Sequence, residues 1–141
     1  MSEYREELSN ELVASMFIVF RSLRGEVSKV FEEFIPMNEF FVLRILNREK
    51  QEKVSKIAQE LHVSSSHITA VSEKLIARDL LERTRCSTDR RVVFLKITEQ
   101  GSKLVREMEE RKTKYIKEKF ATLSEEEMKI AIDVFQKLAK S

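Results

Sequence analysis

Few side chains in this sequence are equipped for bond-making chemistry. Two histidines, His62 and His67, stand five residues apart, and the only cysteine, Cys86, lies between Arg85 and the pair Arg90-Arg91. A spacing of five does not place two imidazoles on one helix face. A metal would therefore need carboxylates from elsewhere, and ordinary surface histidines are the simpler reading. His67 is better suited to donate a hydrogen bond outward. Cations near Cys86 could lower its pKa and make it reactive, although a lone cysteine usually packs as a small hydrophobe. One cysteine excludes an intramolecular disulfide. Nucleophile elbow, phosphate-cradling glycine loop, zinc-protease motif and Cys-x-x-Cys pair are all missing. No catalytic constellation, metal or cofactor is expected.

What the chain does carry is a set of groups that bind. Ser64, Ser65, Ser66, His67, Thr69, Ala70 and Lys74 are small or polar, and Arg83, Arg85, Asp89, Arg90 and Arg91 follow within a few residues. Small and polar side chains suit the edges of bases in a major groove. Arginines suit phosphates or a narrow minor groove. Asp89 would orient an arginine beside it through a charge-assisted hydrogen bond.

The elements that must position these groups can be read from periodicity. Ile57, Ala58 and Leu61 give a short first helix, with Ser55 as its candidate cap. Ile68, Val71, Leu75 and Ile76 give the buried face of a second, whose outward face carries Ser66, His67, Ala70 and Lys74. Ser64 stands where an N-cap is needed. The tight link His62-Val63-Ser64 makes the pair a helix-turn-helix. Leu80–Arg85 and Val92–Ile97 are β-favouring runs joined by the polar, basic tip Ser87–Arg91. Two strands with a basic tip after a helix-turn-helix make a winged helix. Basic residues exceed acidic ones between Lys74 and Lys96, as a phosphate-facing patch requires.

This stretch resembles the DNA-binding core of the MarR family of transcription regulators. The matching residues are Leu61-His62-Val63-Ser64, Glu73-Lys74-Leu75, Leu80-Leu81-Glu82-Arg83, Asp89-Arg90-Arg91 and Leu95-Lys96-Ile97-Thr98-Glu99-Gln100-Gly101. Asp79 departs from the family, which has glycine just past the recognition helix. That position tends to need a left-handed backbone, which Asp tolerates at some cost. The resemblance implies a mostly α fold with a small β-hairpin wing. The winged helix-turn-helix core, residues 36–101, would be flanked by helices over 1–35 and 102–141 that build a two-fold dimer.

Composition agrees with one such domain. The chain has 141 residues, 42% hydrophobic and 35% charged, with a formal net charge of +2, two glycines and one proline. So few breakers imply long uninterrupted helices. No apolar run spans a bilayer, and the acidic start MSEYREEL has no apolar signal core. A cytoplasmic protein without a membrane partner is expected.

The flanks fit the same plan. Apolar residues from Leu8 to Phe34 recur at helical spacing, with Gly25 as a candidate interruption and Pro36 as the stop. Met37–Asn47 reads as a second helix and Arg48–Lys53 as a polar connector. Thr98 can cap a helix whose middle, Glu109–Lys114, is polar and suited to bridge through solvent. Ser124-Glu125-Glu126-Glu127 is a capping box ahead of Met128, Ala131, Ile132, Phe135 and Leu138. Phe17, Phe20, Phe40 and Phe41 could line a pocket for a small aromatic effector, as the resemblance implies for relatives, or simply pack in a core.

The leading reading is a sequence-specific regulator, a repressor, that binds a palindromic operator in double-stranded DNA as a homodimer. Two recognition helices roughly 34 Å apart would match one turn of duplex. A winged-helix module that binds protein instead of DNA is the alternative. An enzyme built on this scaffold is a third, and it lacks candidate catalytic residues.

Overall fold

A computed structural model describes residues 2–141. The long apolar stripe becomes one helix, α1 (Glu3–Glu32), whose N-cap Ser2 accepts from the Arg5 N–H. The interruption expected at Gly25 does not occur. Nothing lies within 4 Å of where its Cβ would be, and one helical glycine costs only about 1 kcal/mol. A ladder of this length absorbs that cost. Pro36 then stands at the N-cap of α2 (Met37–Glu49).

The expected polar connector Arg48–Lys53 is partly a strand. Its end, Gln51–Lys53, forms β1. Two helices follow, α3 (Val54–Leu61) and α4 (Ser65–Ala77), then strands β2 (Leu81–Arg85) and β3 (Val93–Ile97). The sheet order is β1-β3-β2 and both pairings are antiparallel. Gln51 faces Lys96 on one side of β3, and Leu81 faces Ile97 on the other. Ser55 is not the cap of α3. That helix begins a residue earlier, straight from β1, with Val54 buried and Lys53 at the cap position.

The core is built from Leu43, Leu46, Ile57, Ile68, Leu75, Leu81 and Leu95, all fully buried. It extends past the expected limits of 36 and 101. Phe31 and Ile35 enter it from the end of α1, and Val105 and Met108 from α5 (Glu99–Phe120). The Phe31 and Phe40 rings meet edge to face, with centroids 4.7 Å apart, a favoured aromatic geometry.

The chain divides into two compact units, one running to Glu109 and the other Glu110–Ser141. The boundary falls in the polar middle of α5. The second unit holds the end of that helix and α6 (Glu125–Ala139), whose capping box has both reciprocal bonds between Ser124 and Glu127.

Two turns frame α4. At its start, His62 adopts a left-handed backbone (φ 58°), and the Val63 N–H reaches back to the Ala58 carbonyl. At its end, Asp79 does the same (φ 60°), and the Leu80 N–H bonds the Leu75 carbonyl. Both are Schellman-type stops made without glycine. Thr98 fastens the second. Its hydroxyl donates to the Asp79 carbonyl at 2.7 Å and accepts from the Gly101 N–H at 3.0 Å, while its own N–H bonds the Leu80 carbonyl. This confirms Thr98 as a helix cap. Gly101 lies so close to the turn that a Cβ there would stand 2.3 Å from the Leu80 carbonyl oxygen.

Opposite effects are therefore expected at two neighbouring positions. Gly101→Ala should destabilise the fold by about 1–3 kcal/mol, because a backbone atom must move. Asp79→Gly should stabilise it by about 0.5–1 kcal/mol by relieving the left-handed backbone. Denaturant midpoints at unchanged m-values would measure both.

Candidate nucleic-acid interface

The orientation of α4 is set by what it buries. Ile68, Val71, Ser72 and Leu75 face the core, so Ser66, His67, Ala70 and Lys74 are left exposed. Ser64 is the N-cap, accepting from the His67 N–H at 3.1 Å, and its hydroxyl also lies 3.1 Å from that of Ser66. The Thr69 hydroxyl donates to the Ser65 carbonyl at 3.0 Å. Ser64 and Thr69 thus serve the helix itself, while His67 and Lys74 point outward with no such bond among the described residues. The helix presents its N-terminal turn, free of acidic side chains, to solvent.

The wing tip is a compact turn. Its backbone closes by Cys86 N–H to the Val92 carbonyl and Val92 N–H to the Asp89 carbonyl. Asp89 accepts from the Arg91 backbone N–H at 3.0 Å and from its guanidinium at 3.1 and 3.3 Å. These bonds hold the Asp89 carboxyl below the usual carboxylate range, the guanidinium contributing most. Arg91 is oriented yet still 92% exposed. Arg85 donates to the Arg90 carbonyl at 3.0 Å, so its guanidinium braces the tip. Arg83 reaches from β2 to an ion pair with Glu73 of α4.

Three candidate residues, Ser65, Thr69 and Arg91, meet at an open cleft of about 320 Å³ between the starts of α3 and α4 and the wing strand. Lys53 and Ser55 line the same cleft. Sequence reasoning passed over both as site residues. Lys53 sat inside what read as a connector, and only the pairing of β1 with β3 brings it beside the wing.

The four phenylalanines differ in exposure. Phe40 is 1% exposed and packed on Phe31, so it lines no open pocket. Phe17 and Phe20 are exposed, at 56% and 45%. Phe41 is half-buried, with the Arg44 guanidinium 5.2 Å from its ring centroid. Phe40 lies on the apolar pattern of α2 and Phe17 and Phe20 on that of α1, and helical spacing alone did not tell which would be covered within the chain.

The Cys86 thiol is shifted down, but not by the arginines beside it. The shift comes from the Thr88 hydroxyl, with Sγ and Oγ1 3.1 Å apart, and from the backbone N–H groups of Thr88 and Asp89. Arg85 is directed at the Arg90 carbonyl instead. Among the described residues no three His, Cys, Asp or Glu side chains gather into a metal site, and no helix is long and apolar enough to cross a membrane.

Asp89 carries a pH expectation. A carboxyl with a depressed folded pKa contributes order above its unfolded pKa and loses it as pH falls through the folded value. The Arg91 Nε–H resonance should therefore stay in its paired position from neutral pH down to about 4 and move only below that. In Asp89→Asn it should sit in the unpaired position throughout, as read by proton–nitrogen NMR.

Comparison with known proteins places this geometry. Residues 35–93 match the model of the MarR family. HTH-type transcriptional regulator YpoP of Bacillus subtilis is 34% identical over 96% of both chains. HTH-type transcriptional repressor MdtR of the same organism is 28% identical over 96% of this chain and 88% of its own. The crystal structure of the YusO protein of Bacillus subtilis superposes with a TM-score of 0.83, at 27% identity, covering all of this chain and 99% of the other. The matched span runs from the end of the first helix to the wing, and the structural match extends over the terminal helices as well.

Proposed function

The chain belongs to the MarR family of winged helix-turn-helix, DNA-binding transcriptional regulators, and from that premise we infer that it is a repressor binding a palindromic operator as a homodimer. The observation that carries this reading is the exposed polar face of α4 beside a wing tip whose arginine is held by Asp89 and fully presented to solvent. Ser65, Ser66, His67, Ala70 and Lys74 would meet base edges in the major groove. Arg90 and Arg91, with Lys53 across the cleft, would meet phosphate or the adjoining minor groove. Ser64 and Thr69 would act by holding the helix start in shape. The relative named a repressor supports the sign of regulation.

The dimer rests on uncovered apolar surface. Leu8, Leu12, Met16, Phe17, Val19 and Phe20 of α1 are exposed, and so are Ile130, Ile132, Phe135 and Leu138 of α6. Rows of large exposed apolar side chains on a helix mark a surface that a partner covers. A second copy would cover both stripes and set two recognition helices about one helical turn of duplex apart. An aromatic effector would then be held where Phe17, Phe20 and Phe41 are covered by the partner, and would act by changing the spacing of the two helices.

A binding series over salt tests the interface. Arg91→Ala should weaken binding to all sequences, most with A·T-rich flanks, and reduce the salt slope by about one unit. His67→Ala should instead change which central bases are preferred. Arg91→Ala binding like wild type at every salt concentration would remove the wing from the interface. Deleting Ser124–Ser141 should abolish the dimer and tight binding together, as read by sedimentation and gel shift; a truncated chain that stays dimeric and binds normally would refute the assembly.

A further inference from the structure

One residue on the outward side of α4 does not suit a duplex. Directly opposite the buried Ile68, Val71 and Leu75 run Ser66, Ala70, Glu73 and Ala77, all exposed, at helical spacing. Three of the four are small and uncharged. Glu73 puts a carboxylate on the midline of the face that the proposed function turns toward DNA.

A carboxylate only accepts hydrogen bonds. Phosphates repel it, and so do the purine N7, guanine O6 and thymine O4 edges. The donors that a major groove offers are the exocyclic amines of cytosine and adenine. Glu73 is also anchored. Arg83 of β2 donates to its Oε1, leaving Oε2 for an incoming donor. The two side chains remain 39% and 53% exposed, and an exposed pair contributes little to stability. Its consequence is geometric and electrostatic. It fixes the carboxylate on the groove face, and it withdraws Arg83 from the cations available to phosphate.

We propose that Glu73, held by Arg83, is a specificity-determining residue of the recognition helix, accepting from a cytosine or adenine amino group and repelling other groove edges and the phosphates of non-cognate duplex. This rests on the DNA-binding reading above and names one contact within it.

The test uses the full chain and a pool of randomised duplexes. Wild type should enrich cytosine or adenine at one position in each half-site, and Glu73→Ala should lose that enrichment. Glu73→Ala should also bind unselected random duplex more tightly, with the ratio of selected to random affinity falling roughly tenfold. Its salt slope should steepen by about one unit as Arg83 is released to a phosphate, and the steepening should vanish in the Arg83→Ala background. Glu73→Gln, which preserves volume, should move the enrichment toward adenine, the base a side-chain amide reads. If wild type selects a site and both Glu73 variants keep its base profile and its affinity ratio, this inference is overturned while the DNA-binding reading stands. If wild type enriches nothing from the pool, both fall.

Discussion

The structure turns on the hydroxyl of Thr98. It donates to the carbonyl of Asp79, at the end of the recognition helix, and accepts from the N–H of Gly101, in the first turn of α5. One side chain thereby joins the helix that faces outward, the strand that leaves the wing and the helix that leads to the second unit. Gly101 is what lets them meet, because a Cβ there would collide with the Leu80 carbonyl. A hydrogen bond of this kind is worth only about 1 kcal/mol net. Its effect is to remove freedom of angle between wing and helix, so that both can be presented to one partner surface at once.

Charge placement follows the same logic. Several arginines of the wing are already engaged within the chain. Arg85 braces the Arg90 carbonyl, Arg91 lies on Asp89, and Arg83 pairs with Glu73. Each bond spends little stability and leaves the guanidinium near water, where screening is strong. The local excess of basic residues therefore overstates the freely available positive charge. A regulator whose wing arginines are oriented in advance loses less side-chain entropy on binding than one whose arginines are loose.

The apolar surface of α1 and α6 is the other organising feature. The winged-helix core includes Phe31 and Ile35 from before α2 and Val105 and Met108 from α5. The exposed stripes lie outside that core. Folding of the core and covering of the stripes are thus separate problems, and the second copy in the proposed dimer answers only the latter.

The helices and the wing hairpin were legible in the sequence because their signals are local. Period-3.6 stripes, the Ser64 cap, the Ser124–Glu127 capping box and the β-branched run at the wing each depend on residues a few positions apart. Thr98 was legible as a cap for the same reason, whereas the left-handed backbone at Asp79 was implied by the family resemblance, which puts glycine there. Three features were decided only by tertiary structure. The strand Gln51–Lys53 is polar and short, and exists because the central strand β3 has a second edge whose backbone groups need partners. Phe40 and Phe17 each lie on an apolar helix, α2 and α1, yet one is sealed in the core and the other is exposed, because burial depends on what packs from elsewhere in the chain. The pairing of Glu73 with Arg83, and the hydrogen bonds that lower the Cys86 thiol in place of its neighbouring cations, depend on where side chains end in space. Sequence spacing determines which way a residue leaves its own element, and only the packed fold determines what it meets there.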